Sequence, residues 1–322
     1  MLGSGAMLLR NISRSVLIRS AVVTFPILKI WENAKFRGVE ESKYQPVFII
    51  GAPRTGSTIL YQALTNTYRF AYIDNTACAW YRNLRFGLWL SQRKYGDTPH
   101  NNFRAEYGNT SKFGGHAPNE CGQFWYRWLP RDRHFIDHDE VTDRMVREIR
   151  EEVLGASGYL QRPLLLKNLN AGQRLRLINK AFPDARIIFV RRDPRFVTRS
   201  ILKARKKVGT PANKWWSIMP PNVSDLLQLP ESEMCAAQVY HLERQIEEDL
   251  KLFPRNNVRI IHYQELGEGL VRRLAEWCGV PERPDGQMPE FVHDELDSLS
   301  PQERAELEKL VNKYPFNKEL FV

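Results

Sequence analysis

Apolar residues gather in four short unbroken runs: "PVFIIG" at 46–51, "RPLLLKNL" at 162–169, "ARIIFVRRDP" at 185–194 and "NVRIIHYQEL" at 257–266. None alternates with polar positions, so each reads as a strand buried on both faces. Stretches with helical spacing lie between them. "STILYQALTNT" puts Ile59, Leu60, Ala63 and Leu64 on one side of a helix, and "NAGQRLRLINKAF" fills the interval between the second and third runs. Strands spaced by helices predict an α/β fold, a central parallel sheet with helices on both faces. The last helix is signalled by Ser300 as N-cap, Pro301 at its first position and Glu303 two further on, a capping box.

Two stretches break this rhythm. "KYGDTPHNNFRAEYGNTSKFGGHAPNE" (94–120) is polar and Gly-rich and runs into the aromatic "FWYRWLP" (124–130). Long irregular segments in compact domains are usually functional, so an insertion over about 70–130 is expected to recognise substrate. Trp125, Tyr126 and Trp128 suit either a core or an acceptor platform. "GTPANKWWSIMPPN" (209–222) is a candidate lid reaching to about residue 230. No linker divides the chain, which predicts one domain over 46–322 behind a basic amphipathic segment over 1–45.

Charge adds a location. The formal net charge is +10. Between Asp184 and Lys214 ten basic residues (Arg186, Arg191, Arg192, Arg195, Arg199, Lys203, Arg205, Lys206, Lys207, Lys214) face only Asp184 and Asp193. Such a run is either a solvated helix face or the seat of a polyanionic ligand. It lacks the interleaved aromatics of a single-strand binder, so no nucleic-acid partner is expected. The N-terminus carries no acid before Glu32, and its longest uncharged run, Ser20 to Leu28, has nine residues, against about 20 for a spanning helix. It reads as a helix packed on the domain, as a basic helix lying on an anionic membrane through residues 8–37, or as an Arg-rich presequence. Cys78, Cys121, Cys235 and Cys278 form no C-x-x-C pair or zinc spacing, as expected of reduced thiols in a cytoplasmic-type compartment.

Chemistry concentrates after the first strand. In "FIIGAPRTGSTIL" a Gly-bounded turn opens a helix, which offers backbone N–H groups and the helix dipole to an anion. The nucleotide loop G-x-x-x-x-G-K-[ST] would need a lysine where this chain has Ser57. Arg54 supplies a guanidinium instead, and Ser57 and Thr58 supply hydroxyls. No apolar run ends in the lone Asp that would help to hold magnesium; the runs end in Lys167 and in Arg191-Arg192. Cationic strand ends suit a site without a metal.

A second element, Arg192 and Ser200 standing eight residues apart in "VRRDPRFVTRS", joins the loop. Together they resemble the sulfotransferases that use 3′-phosphoadenosine-5′-phosphosulfate (PAPS). That family's 5′-phosphosulfate loop, P-[KR]-[ST]-G-[ST]-[ST], is matched by Pro53, Arg54, Thr55, Gly56, Ser57 and Thr58, and its 3′-phosphate motif by Arg192 and Ser200. "LLLKNL" is similar to its strand-end lysine segment, and "HYQEL" followed by "LVRRLAEWCGVP" to a late strand and "Y-E-x-L" segment. The likeness covers roughly 46–67 and 160–282. Asp193 and Pro194 read as the start of a helix.

The resemblance implies the P-loop-like sulfotransferase fold, PAPS as donor, 3′,5′-ADP as product and in-line transfer to an acceptor hydroxyl or amine. Arg54 and the loop would hold the 5′-phosphosulfate, and Lys167 would offset developing charge. Members acting on phenols and steroids carry a histidine two places after the lysine; here that place is Leu169. Glycan- and tyrosine-modifying members use a carboxylate, for which Glu120 is the first candidate, ahead of His116 and Asp74. Glu120 could equally be a carboxylate at a helix N-terminus. The acceptor expected is a carbohydrate or glycolipid hydroxyl. The competing readings are a P-loop kinase and a non-catalytic binder of polyanions or membrane surfaces.

Overall fold

The four apolar runs all become strands, and a fifth joins them: β1 (Val47–Ile50), β2 (Ala71–Tyr72), β3 (Leu164–Lys167), β4 (Arg186–Arg191) and β5 (Val258–His262). The computed structural model describes residues 25–36 and 43–321. The expected amphipathic segment before residue 25 and over 37–42 therefore lies outside the described residues. Strand order is β2-β3-β1-β4-β5, with every pairing parallel. Two residues are too few to show a period, which is why β2 escapes a reading by pattern.

Helix α1 spans 25–35. After β1 comes α2 (Ser57–Thr67), and after β2 come α3 (Asn75–Ala79) and α4 (Leu84–Tyr95). The short α5 (Gly122–Trp125) and α6 (Asp143–Leu160) precede β3, and α7 (Leu175–Ala181) links β3 to β4. Three helices separate β4 from β5: α8 (Pro194–Val208), α9 (Val223–Leu226) and α10 (Glu231–Leu250). The last two are α11 (Glu268–Cys278) and α12 (Pro301–Val311).

Successive strand residues point to opposite faces, and the cores follow that alternation. Phe48, Ile50, Leu164, Leu166, Ile187 and Phe189 enter one core. Val47, Ile49, Leu165, Ile188 and Val190 enter the other. All four residues of β1 are completely buried, each such side chain worth roughly 1.5–3 kcal/mol of transfer free energy. β5 departs from the expected double burial. It is an edge strand, and Ile260 stands half exposed beside the buried Ile261.

Much of the charge run is internal wiring, while Lys203, Lys206, Lys207 and Lys214 stand exposed. Arg191 is bound by Glu243 at 2.8 Å and Glu247 at 2.6 Å, Arg195 by Asp193 and Glu308, and Arg199 by Glu303 at 2.7 Å. Asp193 caps α8, accepting from Arg195 N at 2.8 Å, with Pro194 at the first helical position. Ser300 caps α12 through Glu303 N at 3.2 Å, and the Glu303 carboxylate also serves Arg199. The stretch expected to form a lid is fastened down. Buried Arg205 donates to Lys214 O and Pro211 O at 2.9 Å each, and Gln238 Nε2 to Trp216 O and Ile218 O at 2.9 Å each.

Candidate active site

Strand order reverses about β1, so the loop after β1 stands at the carboxyl-end crevice with the ends of β3 and β4 on either side, where ligands of open α/β sheets bind. Within this loop Arg54 takes a left-handed backbone, φ 73°, a conformation that a non-glycine residue adopts at a cost. Gly56 (φ 86°) is required twice over: the conformation favours glycine, and a Cβ there would lie 2.6 Å from the Tyr263 ring. Thr55, completely buried, ties the turn by donating to Ala52 O at 3.0 Å. The first intrahelical bond of α2 is Leu60 N to Gly56 O at 3.2 Å. The N–H groups of Ser57 and Thr58 come ahead of it, among those a helix leaves without an internal acceptor.

The lysine missing from position 57 arrives from the neighbouring strand. Lys167, at the end of β3 and 2% exposed, donates to Thr58 Oγ1 at 3.0 Å and to Glu120 Oε1. Glu120 belongs to a segment laced to the end of β2: Asn119 N donates to Ile73 O at 2.7 Å, Asn168 Nδ2 to Glu120 O at 3.3 Å, and Cys121 N to Asn119 Oδ1 at 2.7 Å. It sits two residues before α5, whose N-cap is Cys121, and its side chain turns to Lys167. The first-choice acid is thus brought to the expected lysine.

Across the loop, Arg54 Nε donates to Ser200 Oγ at 2.9 Å. Arg192 stacks on Tyr263 at 4.1 Å, donates to Arg54 O at 2.7 Å, and grips Asp294 with Nε and Nη2 at 2.7 and 2.5 Å. Burial, helped by the charge of Arg192, pushes the Arg54 guanidinium below its usual pKa. A cleft of about 390 Å³ beside them is lined by Arg192, Ser200 and Lys203 together with Asp294 and Glu295. Arg54, Gly56, Ser57, Thr58, Arg192 and Ser200 therefore form one wall around the buried Thr55, with Lys167 and Glu120 at its other end.

The two alternative candidates for the base have other partners. His116 stacks on Tyr95 (4.2 Å, 8°) and Tyr72 (5.8 Å, 24°), and burial, then the charge of Arg283, lower its pKa to about 4. Asp74 caps α3 through Ala77 N at 2.7 Å and takes Ser91 Oγ at 2.5 Å; burial raises its carboxyl to about 6. Of the aromatic run, Phe124 and Trp125 are core, while Tyr126 takes Asn170 Nδ2 at 3.1 Å and Trp128 donates to Glu148 at 2.6 Å.

Tyr107, Gly108 and Asp294 are additions that no motif signals, and Tyr263, within "HYQEL", gains a contact to Arg192 that the segment alone does not give. Glu106 and Asn109 exchange backbone hydrogen bonds of 2.9 Å. The two residues between them, Tyr107 (φ 52°) and Gly108 (φ 86°), both lie in the left-handed region, as a two-residue hairpin turn of the primed type requires. The tip reaches the corner where Lys167 meets Glu120. Tyr107 lies 5.5 Å from both the Arg54 guanidinium and Lys207 Nζ. A Cβ at Gly108 would stand 3.3 Å from Glu120 Oε1, 3.4 Å from Thr58 Oγ1 and 3.5 Å from Lys167 Nζ. A "YG" pair in a polar stretch is the sole sequence trace of this turn.

No curated protein sequence matches the chain. Solved structures similar to it include a sulfotransferase from Mycobacterium avium (16% identity, TM-score 0.49, covering 90% of this chain and 73% of that one). A sulfotransferase from Mycobacterium tuberculosis H37Rv is 12% identical with TM-score 0.47 over 90% and 75% of the two chains, and one from Alicyclobacillus acidocaldarius 15% identical with TM-score 0.43 over 84% and 92%. The family model described as "Sulfotransferase family" matches residues 46–285, a span that holds the loop, Lys167, Glu120, Arg192 and Ser200. On that match, the chain belongs to the sulfotransferase family.

Proposed function

We propose that this enzyme moves the sulfuryl group of PAPS to a hydroxyl of a carbohydrate or glycolipid, with Glu120 as general base. The observation that carries this reading is Lys167 held between Thr58 and Glu120 at the mouth of the anion loop. The donor set fits an anionic nucleotide: guanidiniums at 54 and 192, hydroxyls at 57, 58 and 200, and the amides opening α2. PAPS supplies the activated sulfate. Arg54 and the amides of Ser57 and Thr58 hold its 5′ end, and Arg192 with Ser200 holds the 3′-phosphate.

Glu120 takes the proton of the acceptor hydroxyl as the new S–O bond forms. Lys167 offsets charge on the departing phosphate oxygen as the old S–O bond breaks, and 3′,5′-ADP leaves. His116, neutral and stacked on tyrosines, belongs to the wall of the acceptor side in this reading. The carboxylate base, with Leu169 where a histidine would stand in phenol-acting relatives, is what favours a sugar hydroxyl. Cys78, Cys121, Cys235 and Cys278 are free thiols, in keeping with a cytoplasmic-type setting. Attachment to a membrane surface through residues 8–37 is part of the same proposal.

Transfer of radiolabelled sulfate from PAPS to a panel of glycans, glycolipids and phenols tests the acceptor. For the donor, 3′,5′-ADP is expected to raise the melting temperature and R192A to abolish that rise. A protein stabilised by ATP with magnesium and indifferent to 3′,5′-ADP refutes the reading.

A further inference from the structure

Helix α1 is mounted with its polar side inward. Lys29 Nζ donates to Glu152 Oε1 at 3.0 Å and Glu151 Oε1 at 3.4 Å. Glu32, completely buried, accepts from Phe86 N at 2.8 Å and Asn83 Nδ2 at 3.2 Å. One apolar stripe faces out: Ile27 is 71% exposed and Ile30 72%, with Ala34 exposed beside them, while Trp31 packs on Phe86 and Trp89. Rolling the helix to hide these isoleucines would strip Glu32 of its buried partners and Glu152 of Lys29, so the inversion is held in place by electrostatics.

Around the stripe the charge is positive. Arg82 lies 5.8 Å from the Phe25 ring, and Arg93 lies 5.4 Å from Trp89, which itself packs on Trp31 at 5.1 Å. Lys35 is exposed at the end of the helix. The nearby carboxylates are already engaged: Glu32 by α4, Glu151 by Lys29 and Arg85, and Glu152 by Lys29 and Arg127. Next to Phe36 a cleft of about 300 Å³ is lined by Arg85, Arg147, Arg150 and Glu151. Arg85 is 6% exposed, and its Nε–H is buried without an acceptor. Outward isoleucines, part-exposed tryptophans and a cationic rim are the composition of a helix that lies in a lipid interface. Among the described residues no helix is long and apolar enough to cross a membrane.

We infer that the corner formed by α1, the start of α4 and α6 docks on an anionic phospholipid bilayer. Ile27 and Ile30 enter the acyl boundary, and the cleft of Arg85 and Arg147 receives a headgroup phosphate. This rests on the membrane attachment proposed above and names the face and the lipid charge that produce it.

Co-sedimentation of the full chain with phosphatidylcholine vesicles, with and without phosphatidylglycerol, tests it. Binding is expected only to the anionic vesicles and to fall with salt. The double variant I27E/I30E is expected to bind about tenfold or more weakly with an unchanged melting temperature, and R147E several-fold more weakly. If the unaltered chain ignores anionic vesicles, membrane attachment itself is overturned. If it binds and I27E/I30E binds equally well, attachment stands and this face is the wrong one. If the double variant instead abolishes self-association in sedimentation velocity, the stripe belongs to a second copy and the lipid assignment is overturned.

Discussion

The two halves of the site are made of different material. The half proposed for the donor is a turn between β1 and α2, the end of β4 and the face of α8, anchored on β1 and β4, whose apolar residues are completely buried. The half proposed for the acceptor is backbone from the 96–121 loop, held by side chains that bond to nearby carbonyls, such as Asn75 Nδ2 to Thr110 O at 3.0 Å and Thr110 Oγ1 to Pro118 O at 2.5 Å. Precision on the first side comes from the core, and on the second from a mesh of polar contacts. The mesh can change its residues without disturbing the sheet, so the donor can stay constant while the acceptor varies.

Lys167 is where the halves meet, and its loss should do the most damage. K167A is expected to lower the transfer rate about a thousandfold while 3′,5′-ADP still raises the melting temperature. A rate within a few-fold of the original would remove the lysine from the chemistry. E120Q keeps shape and removes basicity, for an expected loss of about a hundredfold. A rate within a few-fold of the original would move the base elsewhere.

G108A probes the acceptor half alone. The left-handed backbone disfavours a side chain by about 1 kcal/mol, and the methyl would press on Glu120 Oε1 at 3.3 Å while only touching Thr58 and Lys167. We expect about a tenfold fall in kcat/KM for the acceptor with nucleotide affinity untouched. Weakened binding of 3′,5′-ADP would show that the tip serves the donor instead. On the donor side, D294N frees Arg192 from its ionised partner and should tighten 3′,5′-ADP by about threefold; looser binding in calorimetry would make Asp294 a positioning residue.

The smallest effect is on stability in acid. Burial lowers the folded pKa of His100 to about 3 and of His116 to about 4, against about 6.5 unfolded. The unfolded chain therefore takes up protons first, and stability present above pH 6.5 is lost as pH falls towards 4. Asp74, raised to about 6, works in the opposite sense and offsets part of the loss. H116F keeps the stack on Tyr95, so its melting temperature should fall less between pH 6.5 and 4; an equal fall would clear His116 of that role.

Legibility in the sequence follows the same division. β1, β3 and β4 announce themselves because burial on both faces leaves unbroken apolar runs. Arg54, Lys167, Arg192 and Ser200 are found because each sits at a fixed offset from such a run. Glu120 is readable as a candidate but not as a neighbour of Lys167, since forty-seven residues separate them and the lacing of 115–121 to the end of β2 has no pattern. Tyr107 and Gly108 leave no signal beyond two letters, because a turn of this kind is specified by backbone angles. The basic run misleads for a related reason: its partners Glu243, Glu303 and Glu308 come from helices that only the fold brings near.

The pairs Arg192–Asp294 and Lys167–Glu120 give the free enzyme its own counter-ions. An isolated phosphate or sulfate ion meeting either cation must displace a tethered carboxylate, and gains little by doing so. A ligand with one anionic group at each end of the wall repays both displacements within a single binding event, because the second engagement is intramolecular. The site is thereby screened against the abundant small anions of a cell without any barrier in their path. It also has carboxylates ready to reclaim both cations as the spent nucleotide leaves.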